Sequence, residues 1–267
     1  DSSDLPAAWS RLGLPLAIAR PASAAEVSLI VKECAALGVP VVPWGGLTGL
    51  VDGAFADNAM AISLERMNRI ESVDPLNGIM TVDAGCVVHA ACEAAEAHGL
   101  FFPLDLGARG SATIGGGIAT NAGGNRVVRF GMTRELVLGV EAVLPDGTIV
   151  EAMHPMIKNN TGFDVKQLFI GTEGTLGIVT CAVLRIRAAL PSQNVALLAL
   201  KDFPAVMRLL RKLESALGGQ LSAFEVMWRD YYRLVTSPPA HGRPILPQDY
   251  PFYVLAEAMG GDIDRDQ

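Results

Sequence analysis

Three glycines fall within Gly45-Gly46-Leu47-Thr48-Gly49, directly behind an apolar run. A stretch of that composition suits one task above others, offering successive backbone N–H groups to an anion. With no Cβ in the way a phosphate or pyrophosphate can reach the backbone, and the Thr48 hydroxyl adds a donor. Taken alone, the stretch reads equally as a pliant loop without a ligand. Residues 103–124, PLDLGARGSATIGGGIATNAGG, shift that balance: they carry seven glycines and the small polar side chains of Ser111, Thr113, Thr120 and Asn121, with almost no bulk. A long irregular stretch inside a compact domain is usually functional, and this one could lie along an extended ligand for most of its length. Ile114 and Ile118, with few Ser, Lys or Glu around them, argue against a disordered glycine linker.

Neither segment matches the two better-known phosphate cradles. A Walker loop needs Gly-Lys-Ser/Thr, whereas Gly115 is followed by Gly116; a dinucleotide fingerprint needs GxGxxG opening a helix, with an acid about twenty residues on. ATP and NAD in their usual sites are thereby disfavoured, and a different long, phosphate-bearing ligand is required. The histidines, His89, His98, His154 and His241, form no HxxxH or HxxH pair, so no metal site is expected within the chain. Cys34, Cys86, Cys92 and Cys181 are far apart and read as small buried apolar residues. A formal charge of -7 leaves no basic field for nucleic acid. No apolar run is long enough to span a bilayer, and the N-terminus lacks a basic, apolar leader; the expected location is the cytoplasm.

The elements around the glycines are legible in outline. Leu16-Ala17-Ile18-Ala19 is a short strand, Ser23 and Glu26 form a capping box, and the helix they open stops at Gly38. Pro40-Val41-Val42-Pro43 then completes a βαβ unit that delivers the chain into the first glycine segment. Over 59–84 the pattern is β, with strands at 59–64 and 79–83 and a turn at 74–78. A helix is expected over 87–98, a hairpin where 140–144 meets Asp146-Gly147, and a strand over 177–187. Past Pro191 come a strand (195–200), a helix (204–217), a strand (221–227), a Pro-rich loop and a last strand (252–257), the start of a separate layer with too few elements to close a sheet. Antiparallel pairing predominates, so the fold class is α+β and not a doubly wound Rossmann sheet.

Three motifs, PWGGLTGL at 43–50, PLDLGARGSATIGGGIATNAGG at 103–124 and TGFDVKQLFIGTEGTLGIVT at 161–180, together resemble the FAD-binding domain of the vanillyl-alcohol oxidase and p-cresol methylhydroxylase (PCMH) superfamily. The likeness covers residues 12–190 in order, and within the superfamily it is strongest to the branch of D-2-hydroxyglutarate dehydrogenases with their D-lactate and glycolate relatives. It implies a two-lobed PCMH-type FAD-binding domain with a small βαβ lobe and a larger mixed or antiparallel lobe, followed over 191–267 by the first part of an α+β cap (substrate) domain, apparently truncated. It implies that Pro43, Gly45, Gly46, Leu47, Thr48, Gly49 and Leu50 hold the FAD pyrophosphate. Pro103, Asp105, Leu106, Gly107, Ser111, Gly115, Gly116, Ala119, Thr120, Asn121 and Gly123 would line the flavin and ribityl chain, and Glu173, Gly174, Gly177, Ile178 and Val179 would close the far side. Trp44, Phe163 and Gly117 depart from the usual residues. Some relatives attach the flavin through a His after the Gly-Gly pair; Leu47 stands there, so FAD is expected to be noncovalent.

The implied reaction removes a hydride and a proton from a small D-2-hydroxy acid, giving the 2-oxo acid and passing electrons to a protein or quinone acceptor. The catalytic residues are unknown: the substrate-holding cations, the base and any divalent metal would come from the later cap and beyond, which makes the chain a piece of a larger protein. A flavin-binding module without turnover of its own and a nucleotide-sugar reductase are the alternatives. A homodimer stays open, since 221–228 could pack inside the cap or against a partner.

Overall fold

The computed structural model describes residues 5–264 and 266; Asp1, with which the sequence opens, and Arg265 and Gln267 of the acidic tail lie outside the described residues. Contacts divide the chain into two units. The first runs to Gly124 and resumes over Met132–Ala188; the second comprises Asn125–Gly131 and the residues from Ala189 on.

The first unit opens with strand β1 (Ala17–Ala19) and helix α1 (Ala24–Leu37). The Ser23 hydroxyl accepts from the Glu26 N–H at 3.2 Å, while the Glu26 carboxylate accepts from the Ala22 N–H at 2.7 Å, a capping box whose return arm lands one residue early. The helix stops at Gly38, φ 67°, with the Val39 N–H bonded to the Cys34 carbonyl at 2.9 Å. Strand β2 (Val41–Trp44) follows, and β3 (Met60–Ser63) lies between β1 and β2, parallel to both. The β pattern of 59–84 groups β3 with the strands behind it; the structure instead makes it the middle strand of the small lobe. Trp44 anchors that lobe: its side chain is buried and its Nε1 donates to the Ala54 carbonyl at 2.7 Å, fixing both ends of the glycine loop between them.

The larger lobe is a five-stranded antiparallel sheet, in the order β4 (Ile70–Asp74), β5 (Ile79–Asp83), β9 (Ile178–Arg185), β7 (Val137–Val143), β8 (Ile149–Ala152). Its hairpins have the expected turn chemistry. The Asp74 carboxylate accepts from the N–H groups of Leu76 and Asn77 before Gly78 (φ 64°), and Asp146 accepts from Thr148 across Gly147 (φ 79°). Central strand β9 is covered on both faces, which is why it reads as a largely apolar run in which Thr180 too is buried. Helix α2 (Val88–Glu96) and the short pair β6 (Leu100–Phe101) with β10 (Arg187–Ala188) complete the edge. Residues 103–124 are not irregular throughout, as their glycine content suggests: α3 (Ile114–Ala119) runs through Gly115-Gly116-Gly117, capped by the Thr113 hydroxyl, and α5 (Thr133–Leu136) follows the excursion into the second unit. Packing outweighs propensity here. Ile114 and Ile118 are buried one turn apart, and Gly115 lets the helix sit on Ala84, whose carbonyl accepts its N–H at 2.6 Å.

In the second unit β11 (Ser192–Leu200), β13 (Phe252–Gly260) and β12 (Leu221–Trp228) form an antiparallel sheet with β13 in the middle. Helix α6 (Phe203–Ala216) starts at Asp202, whose carboxylate accepts from the Ala205 N–H at 2.6 Å, and covers one face through Val206, Leu210 and Leu213. Helix α7 (Arg229–Thr236) stacks Tyr232 on Tyr253. A single uninterrupted domain over 12–190 does not anticipate α4 (Val127–Phe130), which contacts β12 and belongs with this unit. Arg126 holds it there, giving two hydrogen bonds to the buried Glu257 carboxylate at 2.9 and 3.1 Å, with the Ser222 hydroxyl adding a third at 2.6 Å and Gln193 a fourth. Burial works to raise the Glu257 carboxyl, but the hydrogen bonds from Arg126, Ser222 and Gln193 and the Arg126 charge hold it below its ordinary value.

Removing one partner of a buried, hydrogen-bonded ion pair leaves the other uncompensated, so Arg126→Ala is expected to destabilise the second unit by about 3 kcal/mol in urea denaturation followed by circular dichroism. A carboxyl whose folded-state pKa is lowered contributes stability that is present above its unfolded value and lost as pH falls through the folded one. Stability of this unit therefore drops as pH is taken below about 4.5, and Glu257→Gln makes that drop shallower.

Candidate functional site: a glycine-walled cavity

The loop after β2 is shaped by backbone contacts. A Cβ on Gly46 would stand 2.0 Å from the Ser111 carbonyl oxygen, and one on Gly45 would stand 2.7 Å from the Thr113 hydroxyl. The two glycine segments therefore meet main chain to main chain, which only glycine permits. Between them Leu47 takes a left-handed conformation, φ 54°, and its carbonyl accepts from the Trp9 N–H at 3.0 Å. Such a conformation costs a non-glycine residue about 1–2 kcal/mol and persists where surroundings enforce it. Among the described residues no intramolecular hydrogen bond is donated by the backbone N–H groups of residues 46–50. Orphan donors in a row, at a loop with open space beside Gly49, are the material of an anion nest.

That loop borders a cavity of about 580 Å³. Pro43, Gly45, Gly46, Leu47, Thr48, Gly49 and Leu50 all line it; so do Leu106, Gly107, Gly115, Gly116, Ala119, Thr120 and Gly123 from the second segment. Glu173, Gly174, Gly177, Ile178 and Val179 line it from the third. Four expected residues stand off the cavity, each for a structural reason. Pro103 is buried. Asp105 pairs with Arg109 at 3.6 Å, and its carbonyl lies where a Cβ on Gly124 would fall. Ser111 gives its carbonyl to the contact with Gly46. Asn121, φ 47°, accepts through Oδ1 from the Arg134 N–H at 3.0 Å and turns the chain out of α3. Trp9, Ser10, Trp44, Thr113 and Phe169 line the cavity without having been expected to. Trp44 carried a signal in its place beside the Gly-Gly pair, and Thr113 in being one of the small polar side chains of the second segment. Phe163 is exposed, and Gly117 lines the cavity, where a Cβ would meet Leu104, Ala122 and Thr133 at ordinary contact distance.

A second, smaller cavity of about 290 Å³ adjoins the first across Pro43, Gly174, Gly177 and Ile178. Its remaining walls are aliphatic: Val31, Ala35, Val39 and Val41 from the small lobe, Val143, Leu144 and Pro145 from the large one, with Thr175. Gly174, φ 80°, lies against Pro43, 2.5 Å from its Cγ at the Cβ position, so the passage between the cavities is also set by a missing side chain. Both together make a long trough with a polar backbone stretch and an apolar end. The residues present fit a dinucleotide with a central pyrophosphate.

Another group could be mistaken for a site. Ligand atoms of Glu71, Asp83 and Cys181 lie within 4.8 Å of one another. Arg69 already occupies the position a cation would take, donating to Asp83 at 3.0 Å and reaching Glu71 at 3.9 Å. Burial, with the charges of Glu71, Glu141 and Asp83 behind it, pushes the Cys181 thiol up to about 12, so it holds its proton rather than binding metal. His89, on the exposed side of α2, is near Glu93 at 3.5 Å, and His98, exposed in the turn after α2, bonds the Ala94 carbonyl.

The FAD binding domain model matches residues 15–153. Among curated proteins the chain is 43% identical over 250-odd residues to the D-2-hydroxyglutarate dehydrogenase of Xanthomonas citri pv. viticola, covering 95% of this chain and 54% of that protein. It is 40% identical to the mitochondrial D-2-hydroxyglutarate dehydrogenase of Bos taurus, covering 97% and 48%. The chain spans about half the length of the curated relatives it matches. Among solved structures an alkyldihydroxyacetonephosphate synthase superposes with a TM-score of 0.75 at 21% identity, covering 91% of this chain and 47% of that one; this supports the two-lobed α+β fold. The cytoplasmic expectation is corrected by the relatives, since those of Bos taurus, Rattus norvegicus and Arabidopsis thaliana are mitochondrial by name. A missing leader is no guide in a chain that spans half of its relatives.

Gly46→Ala drives a Cβ into the Ser111 carbonyl and is expected to lower the stability of the first unit by about 1–3 kcal/mol, whereas Gly49→Ala, with nothing within 4 Å, leaves it nearly unchanged. Thermal unfolding of the two variants side by side checks the contrast.

Proposed function

The chain belongs to the FAD binding domain family, and from that premise we propose that it is the flavin-holding part of a dehydrogenase that oxidises a small D-2-hydroxy acid, of the D-2-hydroxyglutarate kind or its D-lactate and glycolate analogues, to the 2-oxo acid. The observation that carries the reading is the row of undonated N–H groups at residues 46–50, set in a cavity whose walls come from all three motifs. Bound FAD would supply the acceptor for the hydride that leaves the carbinol carbon. The chain's own residues do the holding. Residues 46–50 give their N–H groups to the pyrophosphate, the Thr48 hydroxyl adds to them, and Leu106, Ile178 and Val179 keep water from the trough. Leu47 has no nucleophilic atom, so the flavin is held there without a covalent bond. The second unit is the beginning of a substrate domain, and the electrons leave to a protein or quinone acceptor.

One observation favours a narrower reading for the chain by itself. Among the described residues no His, Lys or Arg lines the cavity. A base for the hydroxyl proton and cations for the carboxylate are both needed for turnover, so in this reading the chain holds flavin and does not turn over alone. Anaerobic titration separates the two. The purified chain incubated with FAD and freed of excess is expected to be yellow; bleaching on addition of D-2-hydroxyglutarate assigns it the full reaction, and persistent colour assigns it the holding role. Protein that stays colourless after incubation with FAD contradicts both.

A further inference from the structure

Resting on the reading of the cavity as an FAD site, we propose that Arg134 is the positioning residue of its third wall: the guanidinium clamps a strained turn over 167–174 into the shape that retains the nucleotide. Arg134 is not among the residues lining the cavity. It acts through those that do.

Gly171, Glu173 and Gly174 are all left-handed, φ 84°, 53° and 80°, so left-handed residues crowd one short turn. For Glu173, which has a Cβ, that conformation persists only where the surroundings enforce it. Glu173 and Gly174 line the larger cavity, and Gly174 walls the smaller one too, so the strained backbone is itself the wall. One side of the turn is secured on α3: the Gly171 N–H donates to the Ile118 carbonyl at 3.0 Å and the Glu173 N–H to the Ala119 carbonyl at 2.8 Å. The carbonyl side is secured by Arg134. Its guanidinium donates to the Ile170 carbonyl at 2.6 Å, to the Gln167 carbonyl at 3.4 Å and to the Gln167 Oε1. Ile170 is buried, so loss of the arginine would leave its carbonyl without a partner where water is scarce.

The clamp has a fixed origin. At the start of α5 the Thr133 N–H and hydroxyl both donate to the Ala122 carbonyl, at 3.0 and 2.7 Å, and the Arg134 N–H donates to Asn121 Oδ1 at 3.0 Å. Asn121 and Ala122 belong to the second glycine segment, so one arginine joins that segment to the third. A planar fork reaches the oxygens of residues 167 and 170 at once, a geometry that the compact ammonium of lysine does not reproduce.

The test compares wild type with Arg134→Ala, Arg134→Lys and a control, Arg69→Ala; Arg69 donates to Asp83 at 3.0 Å, and neither lines the cavity. In the chain without flavin, amide hydrogen exchange at Gly171 and Glu173 is expected to quicken about tenfold in R134A and R134K, while strand β9 keeps its wild-type rates. FAD affinity, read by quenching of flavin fluorescence, is expected to fall about tenfold in both, the loss typical of a charge-assisted hydrogen bond, and to keep its wild-type value in R69A. R134K decides alone if R134A does not fold, since it keeps the stem and the charge. Arg134 variants that bind FAD as wild type does overturn the assignment. So does R134K with wild-type affinity, which makes the charge and not the fork responsible, or exchange that quickens in β9 as much as in the turn, the mark of a residue that only stabilises the unit. Wild-type chain that takes up no FAD brings down the flavin reading and the retaining role with it, and exchange at Gly171 and Glu173 tells that failure apart from failure of the clamp.

Discussion

Glycine packed directly against a neighbouring residue, with no room for a Cβ, is the contact from which the architecture of the trough follows. Gly46 against Ser111, Gly115 against Ala84 and Gly174 against Pro43 each leave less than 3 Å to a Cβ. The first brings the loop after β2 onto the start of α3, the second seats α3 on the end of β5, and the third brings the loop before β9 onto β2. Three segments distant in sequence thereby approach to the width of a backbone. Their orphan N–H groups and carbonyls face a common space because there are no side chains to fill it.

The electrostatic consequence is unusual for a site that takes a dianion. The chain carries a formal charge of -7, and among the described residues no basic side chain lines the cavity. Attraction must come from fixed dipoles, the N–H groups of residues 46–50. Strain is concentrated in the same places: Leu47 and Glu173, both left-handed, both border the cavity.

Local chemistry was legible in the sequence and long-range pairing was not. Ser23, Gly38, Asp74 and Asp146-Gly147 act on neighbours a few residues away, and their caps and turns occur where their types require. Strand β3 was misgrouped because nothing in Met60-Ala61-Ile62-Ser63 records which strands will flank it. Helix α3 was hidden by three glycines, whose poor propensity is outweighed by burying Ile114 and Ile118. The attachment of Asn125–Gly131 to the second unit depends on Arg126 and Glu257, 131 residues apart. At the cavity, glycines were reliable markers because backbone approach requires them; Ser111 and Asn121 were not, because small polar residues serve the loop's own backbone as readily as a ligand.

The central claim, that backbone dipoles rather than cations hold the pyrophosphate, is tested most directly by the salt dependence of FAD affinity. Against an acidic chain a dianion is repelled at long range, and salt screens that repulsion. The dissociation constant is therefore expected to stay level or fall as sodium chloride is raised from low to molar concentration. A rise of about tenfold or more, the signature of lost ion pairs to Lys or Arg, would contradict it.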